Sequence, residues 1–101
     1  GWAVGSVKEF LGLSAAESAL LDMKFALSRS LRERRNKQGL SQVQLAERLQ
    51  SSQSRVAKME AGDPSVSMDL LVSSLLLLGA SSADLAKAIS GEGRSRKGRA
   101  A

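Results

Sequence analysis

Between Gly39 and Gly62 the chain leaves room for nothing longer than two short helices. Ser41-Gln42-Val43-Gln44 reads as a capping box, in which a serine hydroxyl and a glutamine side chain reciprocally satisfy free backbone amides. Leu45, Ala46 and Leu49 follow at helical spacing and form the apolar side of a helix only about eight residues long. Gln50 and Ser51 then interrupt the pattern, Ser52 offers a second cap, and Val56 and Met59 restart an apolar stripe that Ala61-Gly62-Asp63-Pro64 closes. Neither helix can bury its stripe alone. The two must cross at a steep angle, with small Ala46 at the closest approach.

The flanks are helical as well. Strand signals are nearly absent, because aromatics are few, period-two alternation is scarce and Leu, Ala, Glu, Arg, Gln and Lys dominate the middle. A box at Ser6-Val7-Lys8-Glu9 predicts a short first helix ending near Gly12, with Val7, Phe10 and Leu11 inward. A second box, Ser14-Ala15-Ala16-Glu17, predicts a long helix to about Gln38 with Leu20, Leu21, Phe25, Leu27 and Leu31 at helical intervals, stopped by Gly39. Beyond the central pair, Ser67 caps an element from Met68 to Leu78 closed by Gly79, and Ser81 or Ser82 starts another over Ala83 to Ile89. The tail from Gly91 carries Arg94, Arg96, Lys97 and Arg99 among Gly, Ser and Ala, a composition without core residues that predicts disorder. The expected organisation is therefore an amino-terminal helical extension (1–23), a five-helix domain (24–90) with its helix pair at 42–61, and a basic tail (91–101).

Composition removes most chemistry. The chain has no Cys and no His, which excludes thiolate and imidazole metal sites, Cys nucleophiles and every scheme that turns on a histidine. Its carboxylates are scattered among basic neighbours, so no paired-carboxylate centre is expected, and neither enzyme activity nor a cofactor is predicted. No stretch approaches the roughly 18 apolar residues of a membrane span, and the start lacks a charged segment followed by an apolar run, so the expectation is a soluble cytoplasmic protein away from membranes. Fifteen Lys plus Arg against ten Asp plus Glu give a net charge of +5, which fits a polyanionic partner without proving one.

Laid out as QVQLAERLQSSQSRVAKMEA, residues 42–61 resemble the helix-turn-helix family that includes phage repressors and xenobiotic-response-element type regulators. Leu40-Ser41-Gln42 and Glu60-Ala61-Gly62 match the family's flanking landmarks, and the likeness covers about Leu27 to Gly79. It implies an all-α, lambda-repressor-like five-helix DNA-binding domain, here preceded by an extra amino-terminal helix. The chain departs from the pattern at Ser51, commonly apolar, and at Gln50, where the family has Gly in a left-handed turn; a non-Gly residue there costs about 1 to 2 kcal/mol.

If Val56 and Met59 face inward, Gln53, Ser54, Ala57 and Lys58 share the opposite face and become the candidate base-contacting residues. Gln53 can both donate to and accept from adenine, Lys58 can donate to guanine acceptors, Ser54 is permissive and Ala57 can meet a thymine methyl. The resemblance implies that Ser41, Gln42 and Arg55 hold phosphates, and that Arg35 pairs with Glu60 and braces the reading helix. Arg29, Arg32, Arg34, Arg35 and Lys37 crowd the end of the long helix, where cations suit both the helix dipole and phosphate. Leu70 and Leu77, seven apart, form a second stripe beside the leucine run 75–78 and are the candidate homodimer interface.

The implied function is sequence-specific binding of double-stranded DNA by a transcriptional repressor, a homodimer on a palindromic operator. The amino-terminal section GSVKEFLGLSAAESALLDMKFALSRSLRERR is similar to that of HigA-type antitoxins, which implies a cognate toxin as partner and autoregulation of the operon. The competing reading is a protein-binding adaptor that keeps the fold but leaves DNA unread, using Trp2, Phe10 and the leucine-rich helix. RNA is not expected, since stacking aromatics are lacking.

Overall fold

Serine starts four of the five helices. In the computed structural model, which describes the backbone from residue 2 to 91 and side chains from 14 to 91, Ser41, Ser52, Ser67 and Ser81 each hold an extended backbone and accept an amide N–H of the first turn through the hydroxyl. The helices they open are α2 (Gln42–Leu49), α3 (Gln53–Ala61), α4 (Met68–Leu77) and α5 (Ser82–Ser90). Ser41 forms a full box with Gln44, and Ser81 does so with Asp84. Among the described residues there is no strand, so the chain is all-α.

Helix α1 (Trp2–Lys37) corrects the expectation of two helices divided near Gly12. A glycine inside a helix costs only about 1 kcal/mol relative to Ala, which weakens a helix without breaking it. The Ser14-to-Glu17 spacing is also the ordinary i, i+3 neighbourhood of a continuous helix surface, so it does not mark a start by itself. The extra amino-terminal helix is therefore the front of α1, and no break falls at the expected 23/24 boundary. The side chains of Trp2, Val7, Phe10 and Leu11, and the basic tail beyond Gly91, lie outside the described residues.

The core gathers one stripe from each of the first four helices: Leu27 and Leu31 of α1, Leu45 and Ala46 of α2, Val56 and Met59 of α3, Leu71 and Leu75 of α4, with Val66 and Leu78 from the connections. Leu85 and Ala88 bring α5 against it. The core begins partway along α1. Leu20, Leu21 and Phe25, expected on the same apolar pattern, are exposed, as is every residue from Ser14 to Met23, so the front of the helix runs out past the globule.

Polar side chains also tie α1 to the rest of the domain. Lys24 Nζ donates to the Pro64 carbonyl at 3.0 Å. Arg34 pairs with Asp84 of α5 at 3.3 Å. Gln38 Nε2 donates to the Leu78 carbonyl at 2.7 Å, closing the end of α1 on the end of α4. At Gly62, which caps α3 with φ +75°, the ring of Phe25 lies where a Cβ would be, with the nearest ring carbon 2.5 Å from that position. A side chain there would be strained by the left-handed backbone and would force the Phe25 ring to move.

Candidate nucleic-acid interface

The turn between α2 and α3 is set by Gln50, the one described non-glycine residue with positive φ (φ 54°, ψ 48°). Its N–H donates to the Glu47 carbonyl at 3.1 Å and that of Ser51 to the Ala46 carbonyl at 2.8 Å, so the last carbonyls of α2 are capped. Ser52 then caps α3 at once. With Leu45, Ala46, Val56 and Met59 buried at the crossing, the outward face of α3 is left to polar residues. Gln53, Ser54, Arg55 and Lys58 are exposed and Ala57 is half-buried.

Behind that face runs a directed chain of hydrogen bonds. Glu60, with a side chain only 4% exposed, receives two N–H groups of the Arg35 guanidinium, Nε on one carboxylate oxygen and Nη2 on the other at 2.9 Å. Arg35 Nη1 donates to the Leu40 carbonyl at 2.7 Å. The hydrogen bond to Glu60 holds the guanidinium above its already high ordinary pKa, against the opposing pull of burial. Such a pair is geometrically specific, and removing one partner leaves a buried charge uncompensated.

Glu60 also accepts from Gln42 Nε2 at 3.1 Å, and the Gln42 Oε1 accepts from Gln53 Nε2 at 2.7 Å. A carboxylate can only accept, so Gln42 must turn its NH2 inward and its oxygen outward. Gln53 must in turn give one N–H to Gln42, which leaves it presenting one N–H and one carbonyl oxygen. That edge matches adenine in the major groove, whose N7 accepts and whose N6 donates.

On the other side of α3, Ser54, Arg55 and Lys58 line a recess shared with Ser65 and Ser67 of the α3–α4 connection. That connection is shaped by Asp63, whose carboxylate accepts from the Ser65 hydroxyl at 2.7 Å and its N–H at 2.8 Å. These two bonds, the hydroxyl foremost, hold the Asp63 carboxyl below the usual aspartate value. Two cations and several hydroxyls facing one recess suit a phosphate oxygen.

The structure brings Arg35, Glu60, Gln42 and Gln53 into one network and sets Ser54, Arg55 and Lys58 side by side. Ser41 is engaged as the cap of α2. Leu70 is half-buried against the monomer's own core, whereas Leu77 is 54% exposed beside exposed Leu76. The link between Gln42 and Gln53, and the Ser65 and Ser67 side of the recess, were not visible in the sequence. The two glutamines stand eleven positions apart, and only the crossing of α2 and α3 joins them.

A capped helix pair with a polar outward face, braced from α1 by a buried ion pair, defines the class of all-α helix-turn-helix DNA-binding proteins. A family model described as a helix-turn-helix domain matches residues 26–88, more than half of the chain, and the chain belongs to that family. No curated protein and no solved structure matches the chain. Among the described residues no helix is long and apolar enough to cross a membrane, and no group of acidic residues is placed to hold a metal ion.

Proposed function

We propose that this protein is a sequence-specific double-stranded DNA-binding repressor that lays α3 in the major groove and reads adenine with Gln53. The observation that carries the reading is the chain from Arg35 through Glu60 and Gln42 to Gln53, which fixes one amide edge outward before DNA arrives. Preorganised polar groups lose less on binding than free rotors do. Ser54, Ala57 and Lys58 complete the base-facing set, with Lys58 offered to guanine acceptors. Ser41, Gln42 through its backbone N–H at the start of α2, and Arg55 contact phosphate and set the register, aided by Ser65 and Ser67 at the far side of α3. The protein acts as a two-fold dimer on a palindromic operator. The antitoxin form of this role adds one requirement, a toxin gene beside this one whose product co-purifies with the chain.

Selection of bound duplexes from a random library at about 150 mM salt tests the proposal, run on the wild type and on Gln53→Ala. A palindrome with an adenine whose preference relaxes in the variant supports direct readout, since a bidentate pair discriminates by about 1 to 3 kcal/mol. No enrichment, with residual binding that falls steeply as salt is added, would show that the basic surface binds DNA without reading it.

A further inference from the structure

Helix α1 carries its charge in two halves. Residues 14–23 hold two acids, Glu17 and Asp22, and no base, whereas residues 24–37 hold six bases and a single acid. On its outward side Asp22, Phe25, Arg29, Arg32 and Asn36 succeed one another at intervals of three and four and line one open groove, walled on the far side by Glu60 and Ala61 at the end of α3. Phe25 is 53% exposed in the middle of this face, with Leu21 at 40% one turn before it. The ion pairs among the described residues are Arg34 with Asp84 and Arg35 with Glu60, so neither Asp22 nor Arg29 is paired with another described residue.

Residues 14–23 of α1 also lack packing of their own. From Ser14 to Met23 every residue is exposed. Helical stability in proteins comes mostly from packing an apolar face, and an isolated helical segment of this length is marginal in water. A helix that continues through Gly5 and Gly12, each costing about 1 kcal/mol, needs a surface to lie against.

We infer that this surface is α1 of a second copy, running antiparallel, with Phe25 beside the two-fold axis. The midpoint between Asp22 and Arg29 falls between Phe25 and Ala26. An antiparallel pair centred there sets Asp22 of each chain against Arg29 of the other and lays each acidic half along a basic half. A parallel pair would align like charges along the whole rod. Antiparallel packing also opposes the helix dipoles favourably. Residues 14–37 would overlap over about 36 Å, at 1.5 Å per residue. The contact is isologous and therefore closes at two chains. DNA is a poorer occupant, because the acidic residues Asp22 and Glu33 line the same groove. The inference rests on the two-fold half of the proposed function, to which it gives an interface different from the leucines of α4.

The test is sedimentation equilibrium of the full chain, without DNA, from about 1 to 200 μM. The samples are the wild type, Asp22→Arg, Arg29→Asp, the double swap of both, and Leu77→Glu, with circular dichroism as the check on folding. Both sites are exposed, so the fold should survive each change. The expected result is a wild-type dimer, a dissociation constant raised about tenfold or more by each single reversal, and return to within about threefold of wild type in the double swap. Single reversals that weaken the dimer without rescue by the swap would overturn the pairing. A dimer lost in Leu77→Glu and kept in Asp22→Arg would move the interface to α4 and leave the two-fold reading intact. A monomer at every concentration would overturn both, while the library selection judges DNA reading separately. Arg29→Asp that weakens DNA binding but not self-association would make Arg29 a phosphate contact and also defeat the inference.

Discussion

Replacing Glu60 by Gln changes one atom of the network behind α3 and should change which base α3 prefers. In the wild type both carboxylate oxygens accept from Arg35, and one of them also accepts from Gln42. A glutamine at 60 has one oxygen and one NH2. Two donors of Arg35 compete for the oxygen, and the NH2 relieves the clash by turning toward Gln42. Gln42 must then flip to accept, which points its own NH2 at Gln53. Gln53 answers with its oxygen and leaves only NH2 facing outward. That edge can no longer take the N6 donor of adenine, but it still suits the two acceptors of guanine. Loss of one bidentate pair corresponds to about 1 to 3 kcal/mol, or roughly 5- to 150-fold in adenine preference. Stability should fall by less than the roughly 3 to 5 kcal/mol of an uncompensated buried charge, because the neutral amide still accepts once from Arg35. Library selection on folded Glu60→Gln should show adenine weakened and guanine gained at the Gln53 position. An unchanged base preference in a folded variant would refute the idea that Glu60 sets the direction of the network.

Three further outcomes concern the fold. Gln50→Gly removes left-handed strain of about 1 to 2 kcal/mol but loosens the unfolded chain by about 0.5 to 1, so a net gain of roughly 0.5 to 1 kcal/mol is expected; thermal unfolding should rise by about 2 to 8 °C, and a fall would refute it. Ser74 of α4 is 1% exposed, and its hydroxyl has no partner among the described residues; Ser74→Ala should stabilise by about 1 kcal/mol in urea titration, whereas a loss would reveal a hydrogen bond. The Asp84 carboxyl is held below the ordinary aspartate value, 3.8, by the Ser81 N–H first, then by the Ser81 hydroxyl and by Arg34. A depressed folded value means that its contribution is complete above the ordinary value and is lost as pH falls through the depressed one. Amide exchange in acid should therefore open the first turn of α5 before the core of α2 and α3, and uniform opening would count against this assignment.

What could be read from the residues was what is decided locally. A serine that follows a helix-ending turn and precedes an apolar stripe marks a cap, so Ser41, Ser52 and Ser67 announced their helices and Ser81 was one of two adjacent candidates, whereas Ser6 and Ser14, with no such turn before them, lie within α1. The inward places of Val56 and Met59 followed from period alone. The left-handed turn at Gln50 came from likeness to a family rather than from propensity, which would place Gly there.

Leu20 and Leu27 show where local reading stops. They stand seven residues apart on nearly the same side of α1, yet Leu27 is fully buried and Leu20 is 45% exposed. Their chemistry is identical, and no propensity distinguishes them. The difference lies in where the rest of the domain meets α1: Phe25 lies against Gly62 at the end of α3, and Lys24 bonds to the connection beyond it. An apolar position upstream of that line serves either no surface or a surface from another chain. Leu70 and Leu77 divide in the same way within α4, one against the core and the other outside it. A seven-residue spacing thus identifies a face without saying which molecule covers it. Charge carries the missing information on α1, because Asp22 and Arg29 flank Phe25 with opposite signs and an antiparallel copy would satisfy both at once.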